Sequence, residues 1–80
     1  MINVTVKLFG IFRKGFPDYD PDKGIVMNVE ETLLVEDLIH LLGLSDQKLG
    51  FILINGRKVK NHHQIKDGDQ ISFFQPFAGG

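Results

Sequence analysis

The sequence contains no cysteine and no tryptophan, and no apolar run approaches the roughly 20 residues that span a bilayer. The absence of cysteine excludes disulfides, thiolate metal ligands and a cysteine nucleophile. Any sulfur chemistry would therefore take place on another group, such as a carboxylate. The start of the chain also lacks the basic stretch and apolar block of a signal peptide. We expect a cytoplasmic protein without a membrane partner.

An excess of charge of one sign is missing as well. Nine Lys and Arg residues against ten Asp and Glu residues give a net charge of -1. Nucleic-acid-binding domains usually carry a marked positive excess for phosphate contacts, so we expect no nucleic-acid partner. The small basic group of Arg57, Lys58 and Lys60 is more typical of a solvated hairpin than of a docking contact.

The chain also lacks the motifs of common catalytic and metal sites. It contains no Gly-x-Gly-x-x-Gly sequence and no phosphate-binding loop. The adjacent His62 and His63 would point to opposite faces of an extended chain, so they are poorly placed to bind one metal ion together. Residues 67–69, an Asp-Gly-Asp sequence, lack the ligand spacing of an EF-hand and predict a turn. We therefore expect neither a metal site nor a catalytic site in this chain.

Alternation of apolar and polar residues predicts the first two strands. Residues 2–9 alternate strictly, with aliphatic side chains on one face, and residues 25–29 repeat the pattern, which favours an antiparallel pair. Glycine and proline are dense in residues 10–24, which predicts a long loop or irregular turn. We expect at least one of its aromatic side chains to be buried. These aromatic residues are Phe12, Phe16 and Tyr19.

A change to helical periodicity follows. Apolar residues at i, i+3, i+4 and i+7 predict an amphipathic helix over about residues 34–42. Thr32 is a plausible N-terminal cap, and Gly43 is a plausible C-terminal cap. The stripe that faces the core consists of Val35, Leu38, Ile39 and Leu42.

The second half of the chain predicts a loop over residues 44–50, a hairpin and a last strand. Residues 51–54 and 57–59 flank Asn55-Gly56, the strongest short hairpin signal. The last strand begins near Ile71. This order of elements predicts a single α+β domain in which one helix covers one face of a mixed sheet, with the first and last strands adjacent, parallel and central.

The carboxyl end is the most unusual feature of the sequence. Pro76 cannot donate a ladder hydrogen bond, and the chain then runs through Phe77 and Ala78 to two glycines, Gly79 and Gly80. Because these glycines have no Cβ, the segment is suited to a narrow channel. We expect a flexible tail whose only reactive group is the Gly80 carboxylate.

Aromatic residues on the polar face of the predicted sheet form a second unusual feature. Phe9 and Phe74 lie on this face, together with Phe51 or Leu53. Single exposed apolar residues mean little, but a group of them beside a reactive terminus would make a docking surface.

Four stretches in register resemble the MoaD/ThiS family of sulfur carriers, and in particular the small subunit of molybdopterin synthase. Residues 4–13 resemble the opening strand of that subunit, residues 51–59 its Asn-Gly hairpin, residues 66–71 its turn into the last strand, and residues 76–80 its carboxyl end. The resemblance covers essentially the whole chain. It implies a ubiquitin-like β-grasp fold with four or five strands packed on one main helix.

The resemblance also implies a mechanism. A partner similar to the ubiquitin-activating enzymes would use ATP and magnesium to adenylate the Gly80 carboxylate, and a sulfur donor enzyme would convert the adenylate to a thiocarboxylate. The thiocarboxylate would then react in the large subunit of molybdopterin synthase or in another acceptor enzyme. The tail residues Pro76 to Gly79 would thread into the partner, and this chain would bind no cofactor itself.

Several alternatives within this reading stay open. The long first strand and the Phe-Ala-Gly-Gly ending favour the molybdopterin type, whereas the insert at residues 16–24 is not expected of either the molybdopterin or the thiazole type. A carrier for a tungsten cofactor or for thiamine thiazole is an alternative. A protein modifier that forms isopeptide bonds through the same tail, or a non-covalent interaction module, is another.

Overall fold

The computed structural model describes residues 1–44 and 49–76. The predicted loop at 44–50 lies partly outside these residues. The described part contains five strands, one α-helix and one 3-10 helix. In chain order these are β1 (Ile2–Leu8), the 3-10 helix (Gly10–Gly15), β2 (Ile25–Val29), α1 (Val35–Leu41), β3 (Phe51–Ile54), β4 (Arg57–Val59) and β5 (Gln70–Phe74).

The strands form one mixed sheet in the order β2-β1-β5-β3-β4. β1 and β5 run parallel, with Val6 opposite Ile71, while the other neighbouring strands are antiparallel. Parallel neighbours need a long crossover, and the chain between β1 and β5 supplies it. The predicted central pair of first and last strands is therefore confirmed.

The hydrophobic core lies between one face of this sheet and α1. The alternation in β1 places its aliphatic side chains inward, where they meet the apolar stripe of the helix. Leu42, the last residue of the predicted stripe, is only half-buried at the edge of the core. The buried core residues are Val4, Val6, Leu8, Phe12, Val29, Val35, Leu38, Ile39, Leu44, Ile52, Ile54, Ile65, Ile71 and Phe73.

The helix begins differently from the prediction. Leu34, and not Thr32, occupies the N-cap position, with extended backbone angles. Leu34 has no side-chain acceptor, but its own N–H donates to Asp37 Oδ2 at 3.0 Å. The carboxylate three residues into the helix therefore satisfies one backbone group at this end, which is half of a capping box. The predicted cap at Thr32 is therefore wrong, because the N-cap lies two residues later in the chain, at Leu34.

The helix ends at the predicted glycine. Gly43 has a φ of 72° and donates to the His40 carbonyl at 3.1 Å, while Leu44 N–H donates to the Ile39 carbonyl at 3.0 Å. This pair of bonds is a Schellman motif. Within the described residues, no helix is both long and apolar enough to cross a membrane.

The two turns predicted in the second half of the chain are confirmed. Asn55 and Gly56 both have positive φ, 52° and 84°, which connects β3 to β4 through the tight hairpin that the Asn-Gly sequence predicts. The Asp-Gly-Asp sequence at 67–69 also forms a turn, and Asp69 Oδ2 accepts a hydrogen bond from Lys66 N–H at 2.8 Å.

The segment between β1 and β2 contains more structure than the sequence indicated. Residues Gly10–Gly15 form the 3-10 helix, which buries Phe12 in the core with 1% of its surface exposed. Tyr19 is half-buried, and its hydroxyl accepts a hydrogen bond from Leu8 N–H at 2.9 Å. The expectation of at least one buried aromatic residue is confirmed, and these contacts attach the segment to the end of β1.

Candidate functional site

Three phenylalanines stack side by side on the face of the sheet that points away from the helix. The ring of Phe74 in β5 lies 4.4 Å from the ring of Phe9 and 4.6 Å from that of Phe51, centroid to centroid. The rings are nearly parallel, with interplanar angles of 8° and 13°. All three side chains are half-buried. We call Phe9, Phe74 and Phe51 the aromatic stack.

Strand order explains why these side chains meet. β5 lies between β1 and β3, and Phe51 is directly opposite Phe74 in the antiparallel pair. Phe9 follows β1 and donates its N–H to the Phe73 carbonyl at 3.2 Å, which continues the β1-β5 pairing. Neighbouring aromatic pairs of this kind contribute about 0.5–1.5 kcal/mol each beyond the area they bury.

Leu53, the fourth predicted docking residue, lies on the same face. It is half-buried and pairs with Ser72 on one side and Lys58 on the other. The structure therefore places all four predicted docking side chains on the same face of the sheet. Their role in docking stays a prediction.

Two cations flank the aromatic stack. Lys58 Nζ lies 5.6 Å from the centroid of Phe51, and Arg13 Cζ lies 6.0 Å from that of Phe9. Arg13 is also 5.5 Å from the Tyr19 ring, and its Nε donates to the Leu8 carbonyl at 3.0 Å. These arrangements are within the range of cation–π contacts. The sequence did not assign either cation to the stack. The register of the β3-β4 hairpin could have placed Lys58 beside the stack, but no local sequence pattern could have placed Arg13 there.

The chain leaves the sheet directly beside the aromatic stack. Gly50 N–H donates to the Phe74 carbonyl at 2.7 Å, and Gln75 Oε1 accepts from Ile11 N–H at 2.6 Å. Pro76 follows and is exposed. The other predicted tail residues lie outside the described residues. These are Phe77, Ala78, Gly79 and Gly80.

Metal binding finds no support in the described part of the chain. Among residues 1–44 and 49–76, no group of three or more His, Asp or Glu side chains is arranged to hold a metal ion. His62 and His63 are both exposed.

Solved structures of other proteins resemble this chain over nearly its whole length. A Pyrococcus furiosus protein assigned as subunit 1 of molybdopterin converting factor is 25% identical with a TM-score of 0.74, covering 96% of this chain and 100% of that chain. Haloferax volcanii small archaeal modifier protein 1 is 18% identical with a TM-score of 0.77, over 96% of this chain and 100% of that one. At this identity the second likeness concerns the fold alone. Both neighbours support the ubiquitin-like β-grasp assignment.

Sequence comparison agrees with the fold. A search of curated proteins found no match. The ThiS family model matches residues 6–80, nearly the whole chain and including the carboxyl end. This match confirms the resemblance to the MoaD/ThiS group, whose members are ubiquitin-fold sulfur carriers that generally work with an activating enzyme and partner enzymes. The chain belongs to the ThiS family, a group of sulfur carriers with the ubiquitin fold.

Proposed function

We propose that this protein carries sulfur for molybdopterin synthesis as a thiocarboxylate on Gly80. The observation that carries the proposal is the aromatic stack beside the point where the chain leaves the sheet, in a chain whose family match extends through Gly80. A stacked apolar surface at this position suits an enzyme that must hold the body of the carrier while acting on its terminus. The likeness to the Pyrococcus furiosus molybdopterin converting factor subunit supports the pterin branch.

The chemistry takes place on the carboxylate and is supplied by partners. On the activating enzyme, a Gly80 carboxylate oxygen would attack the α-phosphorus of ATP, and pyrophosphate would leave. The resulting acyl adenylate has a good leaving group, which the free carboxylate lacks. A hydrosulfide equivalent from the sulfur donor enzyme then attacks the carbonyl carbon, the bond to AMP breaks, and a thiocarboxylate remains. ATP and magnesium belong to the activating enzyme.

Each predicted site residue has a role in this scheme. The aromatic stack and Leu53 dock on the activating enzyme, and later on the large subunit of molybdopterin synthase or another acceptor. Pro76 and Phe77 set the exit of the tail from the sheet. Ala78 and Gly79 thread the active site of the partner because small residues allow close approach of the backbone.

Two other functions use the same activated terminus. A thiazole-type carrier differs in its acceptor enzyme and is favoured by the ThiS family match itself. A protein modifier would transfer Gly80 to a lysine amine and form an isopeptide bond, and the fold shared with small archaeal modifier protein 1 supports it as a candidate.

The decisive experiment is the mass of the carboxyl-terminal tryptic peptide after incubation with the activating enzyme, ATP, magnesium and a sulfur donor. Cleavage after Lys66 releases residues 67–80, which contain no methionine, so oxidation of Met1 or Met27 cannot imitate the replacement of oxygen by sulfur. We expect that replacement on this peptide.

A chain that lacks Gly80 is the matched control, and we expect it to fold normally because a terminal glycine contributes little burial. An unchanged peptide from the full chain, with every component supplied, would contradict the carrier proposal. Lysine conjugates of higher mass would instead support the modifier. Transfer of sulfur to a pterin precursor on the synthase large subunit, and not to a thiazole precursor, would identify the pterin branch.

A further inference from the structure

Gln75 joins the exit of the tail to the 3-10 helix. Its Oε1 accepts a hydrogen bond of 2.6 Å from the N–H of Ile11, a residue 64 positions away in the chain. Ile11 lies in the first turn of the 3-10 helix, where backbone N–H groups have no partner within the helix. The Gln75 side chain therefore caps this helix, and the helix in turn fixes the side chain.

Two glycines make room for this arrangement. Gly10 has a φ of 67°, and a Cβ added there would overlap the carboxamide of Gln75. A Cβ added at Gly50 would lie 2.6 Å from the backbone oxygen of Gln75, closer than real Cβ atoms approach. Gly50 also donates its N–H to the Phe74 carbonyl. Gln75 thus lies between Gly10 and Gly50. Gly10 leaves room for its side chain, and Gly50 leaves room for its backbone.

We infer that Gln75 is a positioning residue that sets the direction in which the tail leaves the sheet. The inference rests on the proposed adenylation of Gly80. The Gly80 carboxylate of the proposed function lies four residues after Pro76, and a fully extended chain of that length reaches roughly 14 Å. A change in the direction of the chain at Gln75 therefore displaces the Gly80 carboxylate. A displacement of about 1 Å can lower a reaction rate by about two orders of magnitude.

Two substitutions of matched length test the hydrogen bond. Gln75→Met keeps the length of the side chain and removes the acceptor, whereas Gln75→Glu keeps an oxygen able to accept from Ile11 N–H. Gln75 is exposed, so we expect both variants to fold, with the thermal midpoint of Gln75→Met lowered by only a few degrees through the loss of one capping hydrogen bond. The exchange rate of the Ile11 amide proton reports the bond directly, and we expect faster exchange in Gln75→Met only.

The functional readout is ATP–pyrophosphate exchange catalysed by the activating enzyme, with the carrier concentration varied. We expect Gln75→Met to lower kcat roughly tenfold and to leave KM for the carrier within about twofold, because the aromatic stack is intact. Gln75→Glu should keep the kcat of the unaltered chain. A change in kcat without a change in KM separates the positioning of the Gly80 carboxylate from the docking of the folded domain.

The outcomes distinguish this inference from the proposed function. A lack of ATP–pyrophosphate exchange with the unaltered chain would overturn the adenylation of Gly80 itself. The positioning role alone would be overturned if the unaltered chain supports ATP–pyrophosphate exchange and Gln75→Met has the same kcat although it has lost the hydrogen bond to Ile11. A change confined to KM would assign Gln75 to docking and would also contradict the inference.

Discussion

Phe73 and Phe74 are neighbours in β5 but belong to opposite surfaces of the sheet. Phe73 points into the core and is 0% exposed, whereas Phe74 points outward, stacks on two other rings and stays half-buried. Both side chains pack against apolar partners, but only Phe74 leaves part of its ring available to a second protein. The difference shows how one strand separates stabilisation of the fold from recognition, because successive side chains alternate between faces.

Substitution of the inner residue should have the largest effect. Phe73→Ala removes a fully buried ring from the core, and we expect it to lower the free energy of unfolding by about 3–5 kcal/mol, since a cavity remains where the ring was. Urea denaturation followed by circular dichroism measures the loss. Phe74→Ala is the matched control, and an equal loss in the two variants would erase the distinction between the faces.

Substitution of the outer residue should affect recognition more than stability. Phe74→Glu removes two stacked contacts, so we expect the free energy of unfolding to fall by about 1–3 kcal/mol. We expect KM for the carrier in ATP–pyrophosphate exchange to rise at least about tenfold, because a carboxylate would be buried at the docking surface.

Val26 provides a control for this variant on the same face. Its side chain is 71% exposed in the edge strand β2, away from the aromatic stack, so Val26→Glu adds the same charge without disturbing the rings. We expect an unchanged KM. A large drop in the thermal midpoint of Phe74→Glu would instead place Phe74 in the core, and equal effects at both sites would argue against a localised docking surface.

The cations at the ends of the stack should have the smallest effect. Lys58 is exposed and lies 5.6 Å from the Phe51 centroid, so we expect Lys58→Ala to change the free energy of unfolding by at most about 1 kcal/mol. Arg13→Ala should cost more, because Arg13 also donates to the Leu8 carbonyl. Thermal denaturation measures the loss of stability in each variant. A larger loss for Lys58→Ala than for Arg13→Ala would contradict this order.

Most of the fold was predictable because its signals are local. The alternation in β1, the apolar stripe of α1 and the Asn55-Gly56 turn each depend on residues a few positions apart. The cap predicted at Thr32 was wrong for a local reason as well, since Leu34 at the N-cap has no side-chain acceptor and its N–H donates to the Asp37 carboxylate instead.

The candidate site was predictable only in part. Alternation along β1 and β5 placed Phe9 and Phe74 on the outer face, but it could not show that Phe51 completes the stack from β3. The contact of Gln75 with Ile11 spans 64 residues and leaves no periodic trace in either segment. The roles of Gly79 and Gly80 stay predictions that only chemistry on the terminus can test.

The sequence by itself determined the strands, the helix, the tight turns and the Gly-Gly ending, because periodicity and backbone preference act between near neighbours in the chain. Only the tertiary structure decided that three rings stack across β1, β5 and β3, that Arg13 and Lys58 flank them, and that Gln75 fits between two glycines. These features depend on strand order, which is set by how the whole apolar surface packs around one core. They arise together at the end of the central strand β5, where the tail begins.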